Sequence, residues 1–370
     1  MKNYLYPILS ITLLSCSSVE VQEINDDIVE IDENIKFISY LENDWQKNLD
    51  ENPLFASYVG DKRANDKINP NSISQFNEER QSEIDSLNEL YEIDQSKLSE
   101  ENKLNFKLKE FGHKSSIGLT DFPIYYLRLN QRGGIQSFYE TGNRLVYNTK
   151  DDYFDWLSRL KQFPANIINS LEINKEGLSK GITQPKLITQ GVVTQIDAIL
   201  NSDIENNPYL KVFLEADESI ITVDEKNQLI QEAKDLIINE INPAYEELNL
   251  FLKNEYLTKS RDSIGIGDVP GGRKHYEYLA KYFTTTNLTP DEIHQIGLDE
   301  IERIRSEMNE IIKQVNWDGD FNSFLDYLRT SPRFYYDNSE DLFNAYLIMS
   351  KTIDPLLTKI FKVFPRAPYG

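Results

Sequence analysis

Thr289-Pro290-Asp291-Glu292-Ile293-His294-Gln295-Ile296-Gly297-Leu298 is the stretch whose reading decides the fold. A threonine N-cap, a proline at the first helical position and a glutamate at N3 make a strong helix start. Ile293, Ile296, Ile301, Ile304, Met308, Ile311 and Val315 follow at helical spacing and are expected to bury one face. Immediately upstream, Val269-Pro270-Gly271-Gly272-Arg273-Lys274-His275-Tyr276-Glu277-Tyr278 reads as a glycine loop feeding a basic, aromatic helix, with a Thr284-Thr285-Thr286 link between the two. The same grammar recurs along the chain. Ile28, Ile31, Ile35, Ile38, Leu41, Trp45 and Leu49 form an apolar stripe that Asn52-Pro53 ends. Two helices are expected between Ile73 and Phe111, and Thr149 caps another. Pro164 and Pro185 are placed to open two more, with Gly181 ending the first. Thr222-Val223-Asp224-Glu225 is a capping box for a long helix through Leu257 that Pro243 should kink. A short helix near Phe321 to Arg329 and a long one near Glu340 to Val363 follow. Gly60 to Ser72 reads as a loop rich in Gly, Asp and Asn, and the segment 118–150, with Pro123, Gly133-Gly134 and Gly142, lacks a clean period and reads as a long loop with short helical turns. No stretch alternates like a half-buried strand. The fold class is all-α, a multi-helix array of long and short helices.

Composition narrows the function. The chain of 370 residues is 39% hydrophobic and 27% charged, as a globular protein should be. Its net charge of −22, from 61 acids and 39 bases, would repel a phosphate backbone, so no nucleic-acid partner is expected. No apolar run reaches the roughly 18 residues of a membrane span. Met1-Lys2, the apolar segment from Leu5 to Leu14, and Leu13-Leu14-Ser15-Cys16 look like a bacterial lipoprotein signal. On that reading residues 1–15 are a signal peptide, Cys16 carries the lipid, and 16–27 form a flexible tether. Membrane association would then run only through the lipid. A cleaved secretory signal with an incidental cysteine is the alternative. Cys16 is the sole cysteine, which rules out an internal disulfide.

Chemistry is harder to place. A helical zinc site needs imidazoles and carboxylates at one-turn spacing, and the three histidines, His113, His275 and His294, are scattered. No complete metal site, no other cofactor site and no catalytic residue is read from the sequence; His294 reads as a packed residue. The segment from Gly265 to Lys274 is the best local candidate. Gly271 and Gly272 permit close approach, and the following helix offers free N–H groups beside Arg273, Lys274 and His275, with Tyr276 one turn on. This could hold a substrate carboxylate; a flexible loop before a packed helix is the competing reading. Leu129-Asn130-Gln131-Arg132-Gly133-Gly134 is the second candidate, with the Gln131 amide and the Gly133-Gly134 pair, or else a tight turn joining two helices.

Several blocks resemble the bacterial domain-of-unknown-function 885 family. They are Asn52 to Asp61, the Asn-Gln-x-Gly-Gly turn at Leu129 to Gly134, Asp152 to Leu160 and Gly177 to Pro185. Gly271 to Leu298, Pro332 to Tyr335 and Phe364 to Tyr369 continue the series in order. The resemblance implies a secreted or lipid-anchored protein akin to zinc peptidases, acting on a peptide or amide, with its chemistry in a downstream His-Glu and Pro-Gly-His-His segment. The 370 residues hold no such segment. The resemblance therefore implies that residues 28–370 are a family helical domain incomplete at its C-terminus, the N-terminal half of a larger peptidase-like fold. Ser17 after the lipidated cysteine implies export to an outer membrane, facing the periplasm. A non-catalytic envelope lipoprotein that binds a ligand or partner is the rival.

Overall fold

The computed structural model describes residues 32–364 and 366–367; Cys16, the signal peptide and the tether lie outside them. The helices are α1 (Glu33–Glu51), α2 (Pro53–Tyr58), α3 (Ile73–Tyr91), α4 (Glu100–Leu119), α5 (Tyr139–Arg144), α6 (Lys150–Ser179), α7 (Lys186–Leu200), α8 (Lys211–Leu214), α9 (Val223–Leu236), α10 (Asn242–Phe251), α11 (Leu257–Lys259), α12 (Gly272–Thr284), α13 (Pro290–Gln314), α14 (Phe321–Thr330) and α15 (Ser339–Leu357). Among the described residues the only β pairing is an isolated bridge between Pro185 and Arg261. The protein is all-α. No described helix is long and apolar enough to cross a membrane. The described residues form two compact units, which divide between Leu279 and Ala280.

The first unit is organised around α6. The capping box that opens it is complete, with the Asp152 carboxylate accepting from the backbone and hydroxyl of Thr149. The helix runs 30 residues, about 45 Å at 1.5 Å per residue. Pro164 lies inside it and does not start a new helix. The reason is burial: Trp156, Leu160 and Phe163 before the proline and Ile167 and Leu171 after it all sit in the main core. That burial outweighs the roughly 3 kcal/mol a mid-helix proline costs. Gly181, at φ +71°, ends α6, and the N–H of Ile182 returns to the Gly177 carbonyl at 2.9 Å.

Against α6 packs the long segment from Val223 to Lys259, and α7 packs on the α10 part of that segment. The capping box of Thr222 and Glu225 forms as expected. The strain of Pro243 is absorbed by a π-helical turn at Ile237–Ile241 just before it, and a second π turn follows at Leu252–Tyr256. A smaller core joins α1, α3 and α4 through Phe37, Tyr40, Leu90 and Phe106. Here the predicted stripe holds in part: Leu41 packs on this core and Leu49 is buried, Ile28 and Ile31 lie outside the described residues, and the start of α1 turns another face inward. Ile35 and Ile38 are 60% and 57% exposed, whereas Phe37 is fully buried. The aromatic rings fill more of the three-helix junction than the isoleucines could, so they take the inward face.

One feature of α6 has no hydrophobic signature. Asp152, Asp155, Arg159, Gln162 and Asn166 recur once per turn and hold the polar loop 61–71 along the helix. Asp152 pairs with Lys62, and Asp155 accepts from Asn65 at 2.8 Å. Arg159 donates to Lys67 O at 2.9 Å and to Ser57 Oγ at 2.6 Å. Gln162 donates to Asp66 O at 2.7 Å. Asn166 donates to Asn69 O and accepts from Asn71 N.

In the second unit the Thr289 capping box and Pro290 start α13 as predicted. The stripe on α13 does not become core: Ile296, Ile301, Ile304 and Ile311 stand exposed, and Ile312 is the one buried hydrophobic described in this unit. His294 is exposed, not packed. Trp317 stacks on Tyr327 at 4.7 Å, forming a small aromatic cluster beside α14. The last predicted helix ends at Leu357, two residues beyond Pro355.

Candidate functional site

The turn between Leu129 and Gln136 is held by side chains. Asn130 Oδ1 accepts the Arg132 N–H at 2.9 Å, and the Asn130 carbonyl accepts from Gly134 N at 3.0 Å and Gln136 Nε2 at 2.8 Å. Gln136 is 1% exposed and donates also to Gln195 Oε1, while Gln195 Nε2 returns to the Gln131 carbonyl at 2.9 Å. Two glutamines thus clip the turn to α7. Gly134 is sterically required, because a Cβ there would collide with Gln136 Oε1 and stand 2.9 Å from the Asn130 carbonyl. Gly133 meets nothing within 4 Å and has no such requirement. Gln131 is exposed and uses its backbone, not its amide, in these contacts.

This turn separates two clefts. The smaller, about 280 Å³, is lined by Gln131, Gln136 and Gln195 with Tyr139 and Asn206. The larger, about 520 Å³, is lined by Gly133 and Gly134 together with Arg128, Arg132, Asn166 and Asn174. Its apolar wall includes Leu54, Leu129, Ile135 and Phe138. Arg132 lines both clefts. Among the described residues neither Arg128 nor Arg132 has a carboxylate within ion-pair distance of its guanidinium. The Arg128 guanidinium lies 4.2 Å from the Phe76 ring centroid, and Glu79 acts on it from farther away. A third arginine of the lining, Arg144, is held by Glu140 at 2.7 Å. At the cleft floor Asn174 is 2% exposed; its amide donates to the Ser170 carbonyl, and its Oδ1 has no partner. Such a lining can hold an anionic, hydrogen-bonding ligand beside an apolar wall.

Gly271, Gly272, Arg273 and Tyr276 line neither of these clefts. Gly271 is at φ +78°, and a Cβ on Gly272 would collide with the Ile266 carbonyl and stand 2.7 Å from Val269 Cγ2. Close packing of the loop on α12 accounts for the glycine pair. Arg273 is exposed and pairs with Glu277 at 3.1 Å, one turn along the helix. Tyr276 is half-exposed. His275 does not add charge as the sequence suggested: it is buried, stacked on Phe122 at 4.7 Å, and burial pushes its pKa down.

His113, read from the sequence as one of three scattered histidines, lies in a third cleft of about 590 Å³ that is also lined by Asp44, Lys47 and Glu83. Its Nδ1 is 2.7 Å from Glu83 Oε2 and its Nε2 is 2.7 Å from the Tyr40 hydroxyl. Burial, followed by Asp44, Glu89 and Glu83, raises the Tyr40 pKa, so that hydroxyl stays protonated. Both ring nitrogens are therefore occupied. Among the described residues no group of three or more His, Cys, Asp or Glu side chains could hold a metal ion.

Sequence reasoning missed Arg128, Arg144 and the asparagines of α6, and gave Arg132 no role. The available signal was three arginines within residues 128–144 of an acidic chain.

Fold and clefts define the class: an all-α scaffold with a cleft between a clipped turn and one long helix. The chain belongs to the family described as "Bacterial protein of unknown function (DUF885)", which matches residues 53–370. A solved structure described as "the putative lipoprotein from Colwellia psychrerythraea" is similar at a TM-score of 0.73 and 21% identity, covering 91% of this chain and 61% of that one. Another, "a putative lipoprotein of unknown function from Shewanella oneidensis", has a TM-score of 0.56 and 15% identity, covering 75% of this chain and 48% of that one. At these identities the likeness is one of fold. The chain thus spans less than two thirds of either solved relative. None of the curated proteins compared with the chain matches it.

Proposed function

We propose that this protein is an exported, lipid-anchored envelope protein whose helical body binds peptides, as the recognition part of a peptide- or amide-hydrolysing family. The observation that carries the binding role is the 520 Å³ cleft, where guanidinium groups without carboxylate partners, asparagine amides and an apolar wall converge. Anchoring through Cys16 rests on the leader-like segment before the sole cysteine. It is supported by the description of both solved relatives as putative lipoproteins. The outer membrane, facing the periplasm, is the proposed location. The hydrolytic step that the family resemblance implies is assigned to no described residue. A purely ligand-binding lipoprotein would use the same cleft and differ only in leaving its peptide uncut.

Two measurements test this reading. Hydrogen exchange of the full chain with a pool of short peptides should show protection in residues 128–144 and 166–174. Protection elsewhere, or none, refutes the binding site. Metabolic labelling with a palmitate analogue should mark the protein and disappear in Cys16→Ser; equal labelling of both refutes the anchor.

A further inference from the structure

Resting on that peptide-binding reading, we infer that the cleft recognises the free C-terminus of its peptide, with Arg132 and Arg128 as the carboxylate receptors and Asn174 as acceptor for the last amide N–H. The charge inventory points there first. Acids outnumber bases 61 to 39, so a cationic side chain has carboxylates at hand nearly everywhere. Arg63, Arg80, Arg144, Arg273 and Arg303 are all ion-paired. Arg159 and Arg261, with no ion pair described, are satisfied by carbonyls. Arg128 and Arg132 have neither; Arg305, Arg333 and Arg366 share that lack among the described residues but line none of the described clefts, whereas Arg128 and Arg132 line the same one.

The turn that carries the receptor is held before any ligand binds. Arg132 follows Asn130, whose side chain fixes the turn through the Arg132 N–H, and the turn is clipped to α7 by Gln136 and Gln195. Arg128 rests against the Phe76 ring, which holds its planar head without neutralising it. The backbone that carries Arg132 and the head of Arg128 are therefore held before a carboxylate arrives, and only the exposed Arg132 side chain has to be ordered by it. A guanidinium offers a planar fork matched to a carboxylate, and pairing in a partly desolvated cleft is stronger than on an open surface.

The remaining lining distinguishes a peptide end from a simple anion. Asn174 Oδ1 is a buried acceptor without a donor, an arrangement that costs free energy until an N–H is supplied. The last residue of a peptide carries an amide N–H close to its carboxylate. The apolar wall of Leu54, Leu129, Ile135 and Phe138 would take its side chain, so an aliphatic or aromatic last residue fits best. Inorganic phosphate or acetate offers the charge but neither the N–H nor the apolar group.

The test compares, on the full chain, tripeptides ending in leucine as free acids with the same peptides as C-terminal amides, by calorimetric titration. The free acid should bind at least about tenfold more tightly, the scale of one lost charge-assisted contact. Arg132→Gln should remove that difference without moving the melting temperature, since the Arg132 side chain is exposed. Arg128→Gln and Asn174→Leu should each weaken the free acid. Phosphate at equal concentration should not compete. Acid and amide binding equally, or phosphate competing as well as the peptide, overturns the inference while leaving the peptide site intact. Binding of neither peptide overturns both readings.

Discussion

Replacing Arg159 by leucine isolates the polar strap on α6 from the hydrophobic core beside it. Arg159 is 1% exposed and donates to Lys67 O, Ser57 Oγ, Pro53 O and Ala64 O. These acceptors are not equally dependent on it. Pro53 O also receives the Ser57 hydroxyl, and Ala64 O also receives the Lys67 N–H. Lys67 O has no other donor among the described residues and would be stranded, at about 1–3 kcal/mol. The charge-assisted bonds themselves contribute roughly another 1.5–3 kcal/mol. Against this, leucine carries no desolvation penalty and would gain about 1.5–3 kcal/mol if its side chain packs fully. The net expectation is a loss of about 1–3 kcal/mol, or roughly 2–12 °C in melting temperature for a domain of this size. The effect should be local as well as global. Hydrogen exchange should show residues 61–71 losing protection before the α6 core does, because Asn65, Asp66, Asn69 and Asn71 are held by the same helix face. Urea and thermal unfolding of Arg159→Leu, with exchange by fragment, measure both. A change below 1 kcal/mol, or unchanged protection of the loop, would refute the view that the strap is held by this face.

The glycines separate packing from permissiveness. Gly272→Ala should destabilise by about 2 kcal/mol or more, because its Cβ meets the Ile266 carbonyl, whereas Gly133→Ala should stay within about 0.5 kcal/mol; chemical denaturation of the pair decides. Burial raises the Asp152 pKa, but its bonds to Lys62, Thr149 and Asn148 outweigh that and hold it below the ordinary value of 3.8. Its stabilisation is therefore present above pH 3.8 and lost as pH falls through the lower folded value; Asp152→Asn should shrink the acid limb of the stability curve, and an identical limb counts against it. Burial lowers the His275 pKa from 6.5, so below that pH the unfolded chain takes up a proton that the folded chain refuses. Stability should thus fall as pH drops below 6.5, and His275→Phe, which keeps a ring against Phe122, should flatten that slope in melts between pH 5 and 7.

Helix starts were legible in the sequence because their determinants are local. Thr149, Thr222 and Thr289 each cap the helix that follows them, since a threonine and an acid three residues apart suffice to satisfy the first N–H groups whatever packs elsewhere. Periodicity likewise gave the all-α class, and the ordered blocks gave the family. Which face turns inward is not a local property. Ile35 and Phe37 are both plausible core residues, and only the space between α3 and α4 selects Phe37. Pro164 reads as a helix start until the burial on both sides of it is known. The candidate site shows the same division. Gln131, Gly133 and Gly134 could be found as a turn, and Gly134 is indeed required. The cleft beside that turn is made by Arg128, Arg132 and Asn174, which are ordinary polar residues until folding removes their competing partners. Local chemistry fixes where elements begin and end; burial, charge pairing and the shape of a cleft are sums over residues distant in sequence, so only the tertiary structure decides them.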